Sequence, residues 1–535
     1  MKMTRLVLVG MAVAGLAACD GGGVDLNVAT TDNSCQGDGA CQTNNTGGGG
    51  NNPCASYTVP NSDEIRQGAF DGANCIYDSN FVGETNPLLT DLTIPFISGK
   101  HIFQDSLFVG QNVDSGVAPA GGTGPTLTIA PGNTLVWQDA GDYLLVNRGS
   151  QIIANGTPSA PITLTSFTDA IQNAAGANDV QQWGGVVING NGITNNCTDE
   201  ERANNQCHVT AEGKPSNYGG NDNAESSGSL RYVVVKHSGF AVVEGDELNG
   251  ITFNAVGSGT VVENVEVYST YDDGMEFFGG AVSPKNVVIL YARDDSLDYS
   301  DGYVGTIENA LVIHWRTDGN RCIEGDNVGS SRTGAGVPFD LAPIATPTIR
   351  NMTCIVSGFD EANGGTHGDS EGPLVRQGGK LMLENSIVYG GYADVVNGSS
   401  NECFEIDDDD NVSRTFAQNG DDFYVKDTVI ACAEPAKDSL PNGDTILNWL
   451  TDTSTVGANY AFNTGNVIID EPLAGPVRVL QSNSYFTAPA IVDAAGNTVV
   501  ADASGLGAVQ SGNDWTSPWA FGLRASNADE PLWFQ

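Results

Sequence analysis

The sequence predicts an all-β protein whose strands wind into a single-stranded parallel β-helix, a solenoid with capped ends and inserted loops. Three copies of one unit follow one another between Gly259 and Asn327, namely GTVVENVEVYSTYDDGMEFFGG, SPKNVVILYARDDSLDYSDGYVG and TIENALVIHWRTDGNRCIEGDN. Each copy contains an apolar strand, an acidic turn and a second short strand, with no helical pattern between the strands. A repeat of about two dozen residues with only strands and turns is typical of a solenoid in which each copy forms one coil.

The strand assignment rests on alternation after a recurring asparagine. Asn264, Asn286 and Asn309 lie 22 and then 23 residues apart. After each of them, apolar side chains occupy the same two alternating offsets: Val265 and Val267, Val287 and Ile289, Ala310 and Val312. A period of two is that of a β-strand with one buried face.

The asparagine itself indicates a column of stacked side chains. Coils about 4.8 Å apart place residues of one offset above one another, and asparagine amides can then hydrogen-bond along the column. The pattern continues at Asn351, Asn385 and Asp427, over wider gaps that indicate inserted loops. The alternative interpretation is that each asparagine is an ordinary turn residue.

Five segments are predicted along the chain. Residues 1–18 combine a basic start with an apolar core too short to span a bilayer and end before a lipobox-like Leu16-Ala17-Ala18-Cys19, which predicts a lipoprotein signal peptide. Residues 19–60, which begin at a lipidated Cys19, are a Gly/Asn-rich tether with too little apolar content to fold. We expect an N-terminal cap at 61–100, the β-helix at 101–435, and final coils with a cap over the last coil at 436–535.

The cysteine content agrees with export to an oxidising compartment. Besides Cys19 there are ten cysteines, an even number, with no CxxC motif and only scattered histidines, so disulfides are favoured over a metal site. Proximity along the chain favours five pairs without determining the connectivity: Cys35–Cys41, Cys54–Cys75, Cys197–Cys207, Cys322–Cys354 and Cys403–Cys432.

The formal net charge of −43 becomes −45 once Lys2 and Arg5 leave with the signal peptide. This charge excludes nucleic acid as a partner and excludes direct adhesion of the folded part to anionic lipid. A cation, or a basic or neutral ligand, remains favoured.

The acidic turns form the candidate metal site. Counting from the asparagine places Asp273, Asp295 and Asp318 in one column, and four further carboxylates lie beside it: Asp272, Glu276, Asp294 and Asp298. Hard cations take carboxylate oxygens from several chain positions, so the sequence predicts a calcium site on one wall of the solenoid.

Two alternatives to the metal site remain open. Aspartates in turns cap their own backbone, which would make these residues structural. Arg293, Arg316 and Arg321 are close in sequence and would neutralise part of the charge instead.

The order of several motifs over about residues 90 to 525 resembles a known family. The motifs are LTIAPGNTLV, RGSQIIANGTPSAPITLTS, WGGVVINGNG, LRYVVVKHSG, LNGITFNAVGSGTVVENVEVYSTYDDGMEFFGG, DDSLDYSDGYVG and DWTSPWAFGL. In this succession they resemble bacterial outer-membrane lipoproteins with a right-handed parallel β-helix of the pectin-lyase type, among them a leptospiral surface lipoprotein. The resemblance implies an outer-membrane setting, on the periplasmic or cell-surface face, beside a TonB-dependent receptor. It implies no settled activity and no catalytic residues.

Three functional classes follow from these observations. A lipid-anchored rod without a Ser-His-Asp, P-loop or clustered metal-ligand motif is interpreted first as a non-enzymatic module that binds a ligand or a partner. The alternative is a calcium-dependent polysaccharide lyase or glycoside hydrolase, with Asp294, Asp295, Arg293, His314 and Arg316 in catalytic roles, although Gly-His-Gly and Arg-Ile-Lys motifs are absent. The second alternative is a structural adhesin.

Overall fold

The computed structural model confirms the predicted parallel β-helix. It describes residues 52–113, 124–243, 246–329, 332, 334–359, 367–391, 402–407, 411–470, 478–482 and 484–534. In that part of the chain, successive coils add parallel strands to three sheets, named A, B and C below. The described residues include no helix long and apolar enough to cross a membrane. The predicted signal peptide, Cys19 and most of the tether lie outside the described residues.

Sheets A and B are the two parts, or arms, of one continuous sheet that bends between them. Five long strands pass through both arms: Gly228–Lys236, Val261–Thr270, Lys285–Ala292, Thr306–Ile313 and Thr348–Val356. The other strands of sheet A are Leu92–Ile94, Thr126–Ile129, Gln151–Asn155, Met382–Glu384 and Tyr424–Lys426. Those of sheet B are Cys75–Tyr77, His101–Phe103, Thr134–Trp137, Ile162–Ser166, Ile387–Gly390, Val429–Cys432 and Val467–Asp470.

In each coil the chain leaves sheet B through a turn and then forms a strand of sheet C. Its strands are Leu107–Val109, Leu144–Val146, Val186–Asn189, Ile251–Asn254, Met275–Phe278, Leu297–Ser300, Ile323–Gly325, Leu374–Val375 and Glu405–Ile406. All are parallel to their neighbours. The acidic turns therefore lie along the edge where sheet B gives way to sheet C.

The recurring asparagine turns the chain from sheet A into sheet B. Asn264, Asn286 and Asn309 have φ angles of 57°, 56° and 60°, in the left-handed region that asparagine tolerates better than most residues. Their amides also stack: Nδ2 of Asn286 donates to Oδ1 of Asn264 at 3.1 Å, and Nδ2 of Asn309 to Oδ1 of Asn286 at 2.7 Å. Asn351 continues the chain of bonds at 3.0 Å, and Asn385 shares the positive φ, 49°. One residue thus serves both as turn and as ladder.

Inward-facing side chains of the three sheets form one continuous core. Val265 and Val267, two residues apart, are both completely buried in it. Aromatic rings stack from coil to coil: the centroid of Phe277 lies 5.2 Å from that of Phe253 and 4.6 Å from that of Tyr303. Burial of apolar area stabilises each added coil by about 25 cal/mol per Å², so the core grows along one dimension.

Short antiparallel strands and helices decorate the coils. The antiparallel strands are Ser56–Thr58 with Ile65–Gln67, Ala69–Phe70 with Cys75–Tyr77, Val209–Thr210 with Asn217–Tyr218, Phe240–Val243 with Asp246–Leu248, and the sheet of Arg478–Leu480, Thr487–Val492 and Thr498–Val500. The helices that lie wholly within the described residues are Phe167–Ala170, Asp199–Ala203, Val412–Asn419 and Ile446–Leu450.

Parallel pairing extends beyond residues 101–435 at both ends. It begins at Cys75–Tyr77 and ends at Val467–Asp470. Past the last strand of sheet C, the side chains of Trp449 and Leu450 belong to the core, and Nε1 of Trp449 donates to the carbonyl of Ala417 at 2.7 Å. The two helices after residue 410 therefore cover the end of the core.

The C-terminal sequence GLGAVQSGNDWTSPWAFGL does not cover the last coil, so that prediction is wrong. Residues 506–534, the C-terminal strap, run along the outer face of sheet B. The N–H of Phe521 donates to Oε2 of Glu266 at 2.6 Å, and Nε1 of Trp533 donates to the carbonyl of His314 at 2.9 Å. The physical reason is that this outer face is apolar and needs cover; among its buried side chains are Val234, Tyr268, Val288, Leu290, Leu311 and Ile313.

Four of the predicted disulfides are confirmed: Cys54–Cys75, Cys197–Cys207, Cys322–Cys354 and Cys403–Cys432. Their Cα–Cα distances are 5.3, 5.5, 6.1 and 6.0 Å, within the range that a disulfide can span. The fifth predicted pair, Cys35–Cys41, lies outside the described residues.

Candidate metal centre

A column of carboxylates runs along the outer face of sheet C. In each strand the first apolar residue faces the core, and because side chains alternate, the next residue faces outward. The outward residues of three successive strands are Glu276, Asp298 and Glu324. Glu324 is absent from the predicted set, although it stands at the same strand position as the other two.

A second row of aspartates occupies the turns before these strands. Oδ1 of Asp273 accepts the N–H of Asp295 at 3.0 Å, and Oδ1 of Asp295 accepts the N–H of Arg321 at 2.6 Å. Oδ1 of Asn249 accepts the N–H of Asp273 at 3.1 Å, one coil earlier. One oxygen of each aspartate therefore holds the next coil in place, which is a structural role, and the second oxygen remains for other contacts.

Asp318 does not belong to this row, so the prediction that it shares a column with Asp273 and Asp295 is wrong. Ile323 follows Asn309 by 14 residues, whereas Met275 follows Asn264 by 11. The turn of the third copy is therefore three residues longer, and the extra length carries Asp318 away from the row and places Arg321 there. Asp318 instead forms a buried salt bridge with Arg293.

Carboxylates from two neighbouring coils converge within the column. Asp273, Glu276 and Asp298 each offer an oxygen atom, and these three atoms lie within 4.8 Å of one another. Asp295, Asp298 and Glu324 form an overlapping group of the same size. In the part of the chain that the structure describes, no lysine or arginine forms a salt bridge with Asp273, Glu276 or Asp298.

This arrangement penalises ionisation of the column. Burial raises the pKa of Asp273 well above its usual range, and the charge of Asp272 adds to the effect. Burial likewise raises the pKa of Glu276, with Glu212 and Asp298 as the next causes. The pKa of Asp298 is raised by burial and by Glu324. A cation placed among these oxygens would reverse the penalty, because it favours the charged forms.

The remaining two predicted ligands are Asp272 and Asp294, and Asp294 also forms an all-oxygen group with Asp273 and Asp295. Asp272 and Asp294 form a further group with His367, again with the contributed atoms within 4.8 Å of one another. Nδ2 of Asn320 donates to Oδ1 of Asp294 at 3.0 Å. Burial raises the pKa of Asp294, while His367 acts in the opposite direction. This group contains a nitrogen donor and is therefore less suited to calcium than the all-oxygen groups.

Among the described residues, none of the three arginines named as compensating charges forms a salt bridge with Glu276, Asp298 or Glu324. Arg293 is bound to Asp318 and to Asn178, and Arg316 is exposed. Arg321 binds Glu371 and Glu405, farther along sheet C. No sequence pattern singles out Arg376, which binds Glu324 and Asp326 at one end of the column.

Three buried glutamates on the next coils form a separate acidic group. Glu371, Glu402 and Glu405 place oxygen atoms within 4.8 Å of one another. Unlike the column, this group has basic partners, because Arg321 binds Glu371 and Lys437 binds Glu402. Glu371 lies 31 residues before Glu402, a wider spacing than the 22 and 23 residues of the repeat, so the repeat does not align these glutamates.

The catalytic set proposed from the sequence does not place its histidine at the surface. His314 is completely buried, and its Nδ1 is 2.8 Å from Oγ of Ser370. Burial lowers the pKa of the His314 imidazole to about 4. With Arg293 held by Asp318 and Arg316 exposed, neither arginine extends the carboxylate column.

Comparison with known proteins agrees with this architecture. The family model described as a pectate-lyase-like beta helix domain matches residues 120–442, which is more than half of the chain. Comparisons with curated proteins and with solved structures find no match. The matched segment contains the carboxylate column and most strands of all three sheets. On this evidence the chain belongs to the family of pectate-lyase-like β-helix domains.

Proposed function

We propose that this protein is an exported, lipid-anchored binding module that holds calcium in the carboxylate column of sheet C. The bound cation would in turn hold an oxygen-rich ligand on the same face. The observation that carries the proposal is the convergence of Asp273, Glu276 and Asp298, three carboxylates within 4.8 Å that have no salt-bridge partner among the described residues. Calcium prefers this donor set, oxygen atoms from several chain positions.

The strength of the repulsion supports a cation over an unoccupied column of charges. Two unit charges 4.8 Å apart, the limit of the group, repel by about 0.9 kcal/mol in water and by about 3.5 kcal/mol at an effective dielectric constant of 20. Asp273 is only 6% exposed, so the lower dielectric constant is the relevant one. Protonation of carboxyl groups with raised pKa values would relieve the repulsion by removing the charges, whereas a divalent cation would relieve it while the carboxylates stay charged.

The setting that we propose for the module rests on the sequence alone. We infer lipidation at Cys19, a tether up to about residue 60, and attachment to the outer membrane on its periplasmic or cell-surface face. This placement would allow the module to act beside a TonB-dependent receptor, as the resemblance to outer-membrane lipoproteins implies. The acidic charge supports partners that are neutral or basic, or anionic partners bridged by calcium.

The test is calcium binding measured by titration calorimetry on the mature protein, together with thermal melts in calcium and in chelator. We expect millimolar calcium to raise the melting temperature, because a ligand that binds only the folded state stabilises it. The double variant Glu276→Gln with Asp298→Asn should lose both the binding heat and the rise.

Glu308→Gln provides the matched control for this test. Glu308 is also an outward carboxylate of the solenoid, but it lies on sheet A and is paired with Lys285 at 3.0 Å. Its variant should keep the calcium response of the wild type. Identical melts of the wild type in calcium and chelator, without binding heat, would refute the metal assignment.

A catalytic function is the second candidate, and Arg376 is the observation that favours it. Its guanidinium binds Glu324 and Asp326 beside the column, so a basic group and buried carboxylates with raised pKa values lie together on sheet C. A calcium-dependent lyase or a hydrolase needs such a combination. Incubation with acidic and neutral polysaccharides should then release unsaturated products or new reducing ends, and Arg376→Ala should abolish their release. If a polysaccharide binds but no products are released, the function as a binding module is supported and the catalytic function is refuted.

A further inference from the structure

The outer face of sheet C changes character along the solenoid. At the strand position that carries Glu276 and Asp298 in later coils, the first three strands carry Phe108, Leu145 and Val187. The antiparallel pair Phe240–Val243 and Asp246–Leu248 lies over these apolar side chains and packs Phe240 and Leu248 against them. The first coils of sheet C therefore form an apolar surface beside the acidic column.

The cover is incomplete and leaves a cavity of about 470 Å³. Its apolar wall is formed by Tyr143, Phe240, Val242 and Leu248. Tyr143 and Leu248 are buried, whereas Val242 is 40% exposed at the cavity. This volume is within the range of small-molecule sites, and an apolar wall with few polar groups is their usual composition.

The polar side of the cavity is predominantly negative. Asp105, Asp139 and Asp142 line it together with one basic residue, Lys214. The Lys214 ammonium is 3.3 Å from Oε2 of Glu84 and 3.9 Å from Oδ1 of Asp142, so its charge is already engaged. Asp105 and Asp139 form no salt bridge with any basic residue of the described part, which leaves an excess of negative charge beside the apolar wall.

Lys214 also shows how this surface accommodates a cation. Its ammonium is 5.9 Å from the centroid of the Phe108 ring and 3.3 Å from Oγ of Ser106, in addition to its carboxylate contacts. An aromatic face and a carboxylate together attract a positive charge more strongly than either alone. Phe240 and Asp139 supply an aromatic ring and a carboxylate to the lining of the cavity.

We infer that the cavity binds a small organic cation, a molecule with an apolar ring or chain that carries one ammonium group. The apolar part would contact Phe240, Val242 and Leu248, and the ammonium group would face Asp105 and Asp139. Anionic ligands are disfavoured by the same carboxylates. The site is separate from the metal column and does not depend on calcium.

The experiment uses the mature protein in chelator and three probes of one shape: benzylammonium, benzyl alcohol and benzoate. Ligand-observed NMR should detect binding of benzylammonium at millimolar concentration, weaker binding of benzyl alcohol and no binding of benzoate. Gly141→Leu should fill the cavity and weaken benzylammonium binding by about tenfold or more. A Cβ at Gly141 meets only Cε1 of Phe240, at 3.7 Å, so the new side chain enters the cavity without displacing backbone.

Gly176→Leu is the matched control, because a Cβ at Gly176 also meets a single atom, Oδ2 of Asp179 at 3.7 Å, and lies outside the cavity. It should bind benzylammonium as the wild type does. Asp139→Asn, at an exposed position, should weaken benzylammonium but not benzyl alcohol, and it keeps the test valid should Gly141→Leu fail to fold. Absence of benzylammonium binding, equal binding of benzoate, or unchanged binding in both cavity variants would overturn the inference.

Discussion

At the scale of single residues, the stacked asparagines combine two demands that few side chains satisfy together. The backbone of Asn286 has φ 56°, and its amide both donates to Asn264 and accepts from Asn309. A residue with a larger apolar side chain is strained in this conformation by about 1 to 2 kcal/mol. The two interpretations left open by the sequence, turn and ladder, therefore describe the same residue.

We expect Asn286→Leu to lower the free energy of unfolding by several kcal/mol. The backbone strain adds to the loss of two amide hydrogen bonds, and leaving a partly buried partner unsatisfied costs about 1 to 3 kcal/mol. Chemical denaturation of the wild type and the variant measures the difference.

Asn286→Gly separates the two contributions. Glycine adopts a positive φ freely, so this variant loses the amide bonds but not the backbone conformation. It should therefore be destabilised less than Asn286→Leu. A change below about 0.5 kcal/mol in Asn286→Leu would be that of an unconstrained surface position and would contradict both roles.

At the scale of elements, the C-terminal strap is held on sheet B by an unusual contact. Glu266 is completely buried in a mostly apolar outer face; its Oε2 accepts the N–H of Phe521, while no hydrogen-bond partner of its Oε1 is found among the described residues. Burial raises the pKa of Glu266 to about 8, although Phe521, Lys236 and Arg524 favour the charged form. Docking of the strap is therefore linked to pH.

Glu266→Gln should make the protein less sensitive to rising pH. The folded pKa is higher than the unfolded one, so the contribution of Glu266 is fully present below about pH 4.5 and is lost as pH rises toward 8. Each pKa unit corresponds to about 1.4 kcal/mol, so between pH 5 and 8 the variant should gain up to a few kcal/mol relative to the wild type. Denaturation at the two pH values measures this difference.

Glu263→Gln is the control for the strap. Glu263 lies on the same strand, but on sheet A and in a salt bridge with Arg231, away from the strap. Its stability relative to the wild type should not change in the same pH-dependent way. If Glu266→Gln and the wild type lose stability in parallel from pH 5 to 8, the carboxyl of Glu266 does not titrate in the folded interface.

At the scale of the whole molecule, the net charge of −43 is distributed along a core that grows in one dimension. Like charges on the surface repel, and salt screens those farther apart than about 8 Å at physiological ionic strength. Carboxylates buried in the column are much closer together and are screened far less. Sodium chloride and calcium should therefore stabilise the protein by different means.

We expect added sodium chloride to raise the melting temperature, and millimolar calcium to raise it further at matched ionic strength. The second increment should vanish in Glu276→Gln with Asp298→Asn, whereas the response to sodium chloride should persist. Scanning calorimetry at constant ionic strength measures both increments. Equal effects of the two salts at matched ionic strength would show that calcium acts by screening alone.

The repeat, its strand period and the asparagine column were all readable from the chain, because each depends on spacing within one coil. Val265, Val287 and Ala310 are buried as the alternation predicts, and they lie in register across neighbouring strands. Four cysteine pairs were also readable, since each joins positions that are near in sequence. Local patterning decides these features in a solenoid, where each coil contacts mainly its neighbours.

Only the tertiary structure decided which carboxylates meet. A turn longer by three residues removes Asp318 from the row, and the strand register, rather than the distance from the asparagine, brings Glu324 beside Asp298. The position of the C-terminal strap was equally unreadable, because its contacts with Glu266 and His314 join residues more than two hundred positions apart. Strand register and the need to cover an apolar face are properties of the folded chain, and no local pattern encodes them.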